Sequence, residues 1–312
     1  MKKKNISPAL IIHGGAWDIP DDLVESHKQG ITKALKIGWK ILKDGGSSVE
    51  AVEETLIVLE NDPTFDAGKG SFLNALGEIE LDASIMNGTT FRAGAVAAVK
   101  NIQNPISLAR LVMDKSEHVL LVGMGAMRYA KENGIKPCRM EDLLVGRELH
   151  RWLQLQGESS YSTKSVFKSR KERARFGDTV GAVALDNDGV IASGTSTGGT
   201  PNKYPGRVGD SPLIGCGTYA DSSIGGVSTT GWGEAMMKVV MAKTVIDLME
   251  YNEGNAQLAA EKGIQILKKK ADGFGGVIVL NQRGEIGISF NTPRMARGYI
   301  TAEMKKPIIA VD

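Results

Sequence analysis

A threonine at an abrupt border in composition is the residue with the clearest potential for chemistry. Thr179 stands in FGDTVGAVAL, residues 176–185, between a basic polar run and an apolar, strand-like run. A chain-terminal threonine can act as a nucleophile because its own α-amine removes the hydroxyl proton. The pKa of an α-amine is about 7.7–8, which suits a general base near neutral pH. Cleavage of the chain just before Thr179 would create that base.

The histidines do not support a conventional serine hydrolase. The segment GTSTG, residues 194–198, matches the GxSxG motif that surrounds the nucleophile of α/β-hydrolases. That fold needs a histidine downstream of the serine, but every histidine precedes Ser196: His13, His27, His118 and His150. We therefore interpret Ser196 as a strand residue. His13, at the end of a predicted strand, is interpreted as a packed, hydrogen-bonded histidine rather than a metal ligand.

Composition excludes several functional classes. The chain has 312 residues, 42% hydrophobic residues and a formal net charge of +2, as in an ordinary globular protein. This charge is too small to indicate a nucleic acid or an acidic membrane as a partner. The apolar run 9–12 is too short for a signal peptide, and no stretch approaches the roughly 18 apolar residues of a membrane span. Two cysteines without a CxxC motif favour a reducing compartment, so we expect a cytoplasmic protein.

The hydrophobic patterns predict the elements that position these residues. In the first half they predict strands at 9–12, 71–85 and 93–99, and helices over 21–44, 47–59 and 141–155, with one more from Pro105. In the second half they predict hairpins turning at 187–189 and 282–284, and helices over 233–250 and 255–270. Strands and helices are grouped rather than strictly alternating. This grouping favours antiparallel sheets covered by helices.

A basic segment without periodicity precedes Thr179. Residues 157–177, GESSYSTKSVFKSRKERARFG, carry six Lys or Arg against two Glu. A connection of this length is uncommon within a compact domain unless it has a function. The composition is typical of a solvated loop, and we predict a mobile basic linker that ends just before Thr179.

Longer motifs resemble one family. GDTVGAVALDNDGVIASGTSTGG, PGRVGDSPLIGCGTYAD and STTGWGE in the second half are similar to the plant-type (type III) L-asparaginases and isoaspartyl peptidases. These enzymes are N-terminal nucleophile hydrolases. IIHGGAW, LENDPTFDAGKGSFLNALGEIELDASIMNG and RAGAVAAVKNIQNPISLAR in the first half also resemble that family, in the same order. The resemblance covers nearly the whole chain except the linker.

The resemblance implies an α+β fold, a four-layer αββα sandwich formed by one domain that cuts itself. The cut would fall between Asp178 and Thr179, giving an α-chain, 1–178, and a β-chain, 179–312. The Thr179 hydroxyl would attack the Asp178 carbonyl, and water would hydrolyse the resulting ester. The family also implies a homodimer of such αβ units.

The same resemblance implies the catalytic residues. Thr179 would be the nucleophile, and the hydroxyl of Thr197 would hydrogen-bond to it. Thr230 and the backbone N–H of Gly231 would form the oxyanion hole, where preorganised donors stabilise developing negative charge.

Binding of the substrate's amino-acid head is implied for a second set of residues. Arg207 would bind the α-carboxylate, since a guanidinium can hold a carboxylate with two hydrogen bonds. Asp210 would bind the α-ammonium. Gly231 and Gly233 would let the backbone approach the ligand closely.

No cofactor is expected for catalysis, but the family match implies a structural Na⁺ or K⁺. Main-chain carbonyls would bind it, and carbonyl oxygens suit such hard cations. The matching positions are Leu59, Glu60, Asp62, Phe65, Ala67 and Lys69. Three residues depart from the family's usual pattern: Trp17, Asp66 and Asp178.

The function implied is hydrolysis of β-aspartyl (isoaspartyl) dipeptides and L-asparagine, both small molecules, through a covalent acyl-Thr179 intermediate. An aspartylglucosaminidase-like hydrolase of glycosylasparagine is the alternative enzyme, and Asp178 before the nucleophile is usual in those relatives. An alternative of another class is an uncleaved, inactive homologue that binds amino acids.

Overall fold

The computed structural model describes residues 6–157 and 179–312. The first range, residues 6–157, contains four strands, six α-helices and one 3-10 turn. Its strands are β1 (Ala9–Trp17), β2 (Leu81–Asn87), β3 (Ala93–Val99) and β4 (Leu120–Val122). Its helices are α1 (Val24–Lys43), α2 (Ser48–Glu60), α3 (Pro105–Lys115), α4 (Gly123–Glu132), α5 (Met140–Leu143) and α6 (Gly146–Leu155), and a 3-10 turn at Asp21–Leu23 precedes α1.

The second range begins at Thr179 and supplies the rest of the larger sheet and all of the smaller one. Its strands are β5 (Val180–Leu185), β6 (Ile191–Thr197), β7 (Thr218–Asp221), β8 (Gly225–Gly231), β9 (Gly275–Asn281), β10 (Ile286–Phe290), β11 (Arg294–Thr301) and β12 (Ile308–Val311). Its helices are α7 (Gly233–Lys238), α8 (Met241–Tyr251) and α9 (Ala256–Ala271).

Two sheets stack between two layers of helices. The larger sheet has the order β12-β11-β1-β5-β6-β2-β3-β4, and the smaller one β10-β9-β8-β7. Helices α1, α2 and α3 pack on the outer face of the larger sheet, while α8 and α9 pack on the smaller sheet. Strands β5 and β6 contact β8 across the middle. This arrangement is an αββα sandwich, so the implied fold is confirmed.

Strand β1 contributes side chains to two hydrophobic cores, one on each face of the larger sheet. Side chains of a strand alternate between its two faces. Leu10 and Ile12 join the core beneath α1 and α2, whereas Ile11 lies in the core between the two sheets. A continuous apolar strand therefore indicates burial on both faces.

Most predicted elements are confirmed, and three needed correction. Residues 71–80 form an isolated bridge between Leu73 and Ile79 rather than a first strand. The predicted helix over 141–155 is divided into α5 and α6, and the one over 233–250 into α7 and α8. The second break lies at Val240, whose φ of 48° is left-handed. A β-branched residue in that conformation is strained, so propensity alone did not indicate it.

Across residues 6–157 and 179–312, no helix combines the length and the apolarity needed to span a membrane. The predicted linker falls outside the described residues except for Gly157, and so does Asp178.

Candidate active site

The β5–β6 hairpin brings the two predicted threonines together. Val180 pairs with Ser196 in the antiparallel register, so Thr179 and Thr197 stand opposite each other at the open end. The Thr179 Oγ1 donates a hydrogen bond to Thr197 Oγ1 at 3.1 Å, and both residues are buried. Thr197 Oγ1 also accepts the N–H of Gly199 at 3.0 Å. The hydroxyl of Thr179 is thereby held in one orientation.

The backbone of Thr179 is held from the other side by β1. Its carbonyl accepts a hydrogen bond from Nδ1 of His13 at 2.9 Å, and Nε2 of the same ring lies 3.0 Å from Ser228 Oγ. His13 is fully buried, and this burial lowers its pKa to about 3 despite the bond to the Thr179 carbonyl. The ring is therefore neutral at physiological pH, and both its nitrogens are engaged in structural bonds.

The predicted oxyanion residues occupy the end of β8. Thr230 Oγ1 accepts the N–H of Ala16, in β1, at 3.3 Å. Ser228 and Thr230 are two residues apart and so face the same side, toward the larger sheet. Gly231 has a φ of 135°, and a Cβ there would lie 2.4 Å from the Gly275 Cα. Both conditions require glycine at this position.

The predicted substrate-binding residues also meet. A Cβ on Gly233 would lie 2.9 Å from Arg207 Nη2 and 2.9 Å from Asp210 Oδ1, so both side chains reach the glycine backbone. Asp210 Oδ2 accepts a hydrogen bond from the hydroxyl of Thr229 at 2.7 Å. Because Thr229 immediately precedes Thr230 along β8, this contact joins the charged pair to the oxyanion residues.

The burial of Asp210 has an electrostatic consequence. Desolvation raises the pKa of its carboxyl to about 6, and the hydrogen bond from Thr229 and the charge of Arg207 only partly oppose it. A carboxylate in this position is well suited to accept an ammonium, because a bound cation would replace the lost hydration.

Comparison with known proteins identifies the family. The family model described as "Asparaginase" matches residues 6–309. The chain belongs to this asparaginase family.

Individual relatives of this asparaginase-family chain are similar over almost their full length. It is 45% identical over 291 residues to the isoaspartyl peptidase/L-asparaginase of Bos taurus, covering 93% of this chain and 92% of that protein. It is 43% identical over 291 residues to the protein of the same name from Xenopus laevis, with coverages of 93% and 91%. The Homo sapiens protein of that name is 43% identical over 281 residues, with coverages of 90% and 89%.

Sequence reasoning missed Glu234, the first acidic residue of α7. Its carboxylate accepts hydrogen bonds from Arg207 Nε at 2.8 Å and from Nη2 at 2.9 Å. Burial by itself would lower the pKa of the Arg207 guanidinium. The hydrogen bonds to Glu234 and its negative charge have the larger effect together, so the pKa is raised. The available signal was the acid directly after Gly233 in GWGE.

Lys203 is a second residue that the sequence did not indicate. It is buried, and its Nζ donates to the carbonyls of Glu80 at 2.8 Å and Gly198 at 3.0 Å. Burial lowers its pKa, while the nearby carboxylate of Asp82 opposes this change. Lys203 therefore fixes the backbone that follows Thr197.

Two of the departures from the family pattern lie behind the site. The main-chain carbonyl of Asp66 accepts the N–H of Gly198 at 2.9 Å, and its Oδ1 accepts the N–H of Phe72 at 2.9 Å. Asp66 thus supports the turn after Thr197. Trp17 is buried in the core, with its ring centroid 6.2 Å from that of His27.

The predicted cation loop is rich in main-chain oxygen. A Cβ on Gly68 would lie 2.6 Å from the Glu60 carbonyl oxygen, and one on Gly70 would lie 2.6 Å from that of Phe65. Both glycines have positive φ values. Among residues 6–157 and 179–312, no group of three or more His, Cys, Asp or Glu side chains could hold a metal ion. A cation here would depend on backbone carbonyls, and three of the predicted ones already accept N–H groups within the loop: Leu59, Glu60 and Asp62.

Ser196, of the GTSTG motif, does not resemble a nucleophile. It is fully buried within β6, and its Oγ donates to Glu60 Oε1 at 2.6 Å. Burial raises the pKa of the Glu60 carboxyl to about 8, against the hydrogen bonds it accepts from Ser196, Asn104 and Ile106.

Proposed function

We propose that this protein is an isoaspartyl peptidase and L-asparaginase that matures by cutting its own chain before Thr179. The observation that carries the proposal is the 3.1 Å hydrogen bond between the hydroxyls of Thr179 and Thr197 at the start of a core strand. The names of relatives that are 43–45% identical over nine-tenths of the chain support the same activity.

Maturation begins with the Thr179 hydroxyl attacking the carbonyl carbon of Asp178. The peptide C–N bond breaks, an ester forms, and the α-nitrogen of Thr179 becomes a free amine. Water then hydrolyses the ester. The products are an α-chain, 1–178, and a β-chain, 179–312, whose terminal amine has the pKa range of a general base.

Turnover repeats this chemistry on the substrate. The amine removes the hydroxyl proton, and Thr179 Oγ1 attacks the β-carbonyl carbon of the aspartyl or asparaginyl group. Thr230 and the Gly231 N–H stabilise the oxyanion. The C–N bond then breaks, and the leaving amine or ammonia takes the proton. Water hydrolyses the acyl ester, which releases aspartate and restores the Thr179 hydroxyl.

Arg207 and Asp210 recognise the free amino-acid head that both substrates share. Asp210 accepts the α-ammonium and Arg207 donates to the α-carboxylate. Glu234 binds the Nε–Nη2 edge of a guanidinium that carries five N–H donors. We infer that this contact orients Arg207 and leaves its remaining donors for the substrate.

Assembly, cation and compartment follow the family resemblance. We propose a homodimer of αβ units, testable by light scattering, and a cytoplasmic location, which the free Cys138 and Cys216 favour. A structural Na⁺ or K⁺ would be held by carbonyls of the 59–69 loop. Dialysis into tetramethylammonium buffer should then lower the melting temperature, and readdition of K⁺ or Na⁺ should restore it.

The decisive experiment sequences the purified protein from its N-termini and runs it on a denaturing gel. We expect two fragments, one starting at Thr179, instead of a single 33.3 kDa band. An isoaspartyl dipeptide, L-asparagine and a glycosylasparagine are then compared as substrates. Thr179→Ala should remain uncut and inactive. An uncut but active parent protein, or hydrolysis by Thr179→Ala at the parent rate, would contradict the proposal.

A further inference from the structure

A chain of buried hydrogen bonds runs through the middle of the sandwich and ends on the Thr179 carbonyl. It starts at Thr218 Oγ1, which donates to Thr195 Oγ1 at 2.6 Å. Thr195 Oγ1 lies 2.7 Å from Ser228 Oγ, which lies 3.0 Å from His13 Nε2. His13 Nδ1 completes the chain at 2.9 Å from the Thr179 carbonyl. All five residues are buried, and they stand on or beside five different strands.

Counting hydrogens fixes the direction of the last two bonds. A carbonyl can only accept, so His13 Nδ1 carries the ring hydrogen. The neutral ring then has a bare Nε2, which must accept the one hydrogen of Ser228. Thr195 has one hydrogen and two acceptors within reach, Ser228 Oγ at 2.7 Å and the Gly217 carbonyl at 3.0 Å. The bonds from Ser228 through His13 therefore both point toward Thr179, and neighbouring aligned hydrogen bonds strengthen each other.

The structure reserves space for this arrangement. Gly181 pairs with His13 on one side and with Thr195 on the other. A Cβ on Gly181 would lie 2.0 Å from Ser228 Oγ and 2.2 Å from His13 Nε2. Any side chain at position 181 would therefore occupy the place of the His13–Ser228 hydrogen bond.

We propose that His13 is a positioning residue for the nucleophile, holding the Thr179 carbonyl so that the hydroxyl and the α-nitrogen stay in reacting geometry. The proposal rests on the proposed function, since it concerns the same threonine. Chain termini are poorly ordered unless they are tied down. Once the bond before Thr179 is cut, its Cα is held by the Thr197 contact on the side chain and by the His13 bond on the carbonyl.

Substitutions at position 13 can separate the two edges of the ring. His13→Asn places an amide near the Nδ1 edge and can still donate to Thr179. His13→Gln places its amide near the Nε2 edge and can still meet Ser228. We expect His13→Gln to lower kcat by about 10- to 100-fold, as loss of a buried hydrogen bond predicts. Here kcat is expressed per β-chain that begins at Thr179. His13→Asn should recover most of that loss.

KM separates positioning from general damage. Arg207 and Asp210 bind the substrate on different elements, so KM for an isoaspartyl dipeptide should stay near the parent value in both variants. Self-cutting should slow in parallel with kcat. Equal loss of kcat in His13→Asn and His13→Gln, with melting temperatures near that of the parent, would overturn the proposal. So would His13→Gln cutting and turning over at the parent rate.

A hydroxyl pair provides the test if either histidine variant fails to fold. Ser228→Ala removes the donor to Nε2. Ser193→Ala is the matched control, because Ser193 is also fully buried and its Oγ donates across the sheets to the Val227 carbonyl at 2.7 Å. We expect kcat to fall about fivefold for Ser228→Ala and to stay unchanged for Ser193→Ala. Identical kcat values for the two variants would overturn the proposal, whereas an inactive parent protein would instead refute the proposed function.

Discussion

Both carboxylate oxygens of Glu234 accept hydrogen bonds from Arg207, at 2.8 Å from Nε and 2.9 Å from Nη2. The Arg207 side chain is 16% exposed and that of Glu234 38%, so the pair is only partly buried. Two hydrogen bonds fix the plane of the guanidinium. The residue expected to bind the substrate's carboxylate is thus oriented before substrate arrives.

Glu234→Gln tests this orientation. We expect KM for L-asparagine and for an isoaspartyl dipeptide to rise about five- to tenfold, because one charge-assisted hydrogen bond to Arg207 is lost. The kcat should change little, since Thr179 and Thr197 are untouched. Steady-state kinetics on the fully cut protein measure both. A lower KM would show that Glu234 competes with the substrate instead of orienting its partner.

Thr197→Val tests the contact with the nucleophile. Valine keeps the shape of the side chain but removes the acceptor of the Thr179 hydroxyl, so kcat should fall by roughly 10- to 100-fold. Thr197→Ser is the control, because it retains the hydroxyl and should keep most of the activity. If valine and serine behave alike, the 3.1 Å hydrogen bond has no catalytic role.

The pH dependence of substrate binding should report on Asp210. Its pKa is raised to about 6, and the carboxyl must be ionised to accept an ammonium. KM should therefore rise as the pH falls through about 6. Protonation of the Thr179 amine should separately lower kcat at low pH, and the usual pKa of an α-amine is about 7.7–8. Measuring kcat and KM between pH 5 and 9 resolves the two effects. A KM that does not change across pH 6 would contradict this role.

Ionisation of Asp210 should favour substrate binding but lower the stability of the folded protein. The folded-state pKa of Asp210 lies above its ordinary value of 3.8, so the native state favours the protonated form and loses stability as pH rises toward 6. At pH 7 the ionised carboxylate destabilises the folded state by about 3 kcal/mol. We expect Asp210→Asn to melt at a higher temperature than the parent at pH 7 and to bind substrate much more weakly. Equal melting temperatures at pH 7 would argue against the raised pKa.

Asp66→Asn tests Asp66, which departs from the family's usual pattern and supports the turn after Thr197. An asparagine Oδ1 can still accept the N–H of Phe72, and the main-chain bond to Gly198 does not depend on the side chain. We expect the variant to cut itself and turn over at close to the parent rate. Asp66→Ala, which loses the Phe72 contact, should lower the melting temperature. A large loss of activity in Asp66→Asn would mean that the charge itself is required.

The hairpin was predictable because its signals are local. Asn187, Asp188 and Gly189 indicate the turn, and apolar runs lie on either side of it. The contact between Thr179 and Thr197 was expected only from the family resemblance. That resemblance also supplied Arg207, Asp210 and Thr230 as candidates.

The supporting contacts were not predictable, since they join residues far apart in the sequence. Ser228 lies 215 positions from His13, and Glu234 lies 27 from Arg207. No periodicity or turn rule links such pairs. The left-handed Val240, which divides α7 from α8, was equally hidden, because its neighbours have an ordinary helical pattern.

The strand order has a consequence for the protein that the proposed cut would produce. In the larger sheet, β1 lies between β11 and β5, so a strand from before Thr179 is flanked on both sides by strands from after it. The two polypeptides would therefore alternate within this sheet and could not separate without breaking its strand pairing. Residues 179–312 hold all four strands of the smaller sheet, but neither polypeptide alone would hold the larger one.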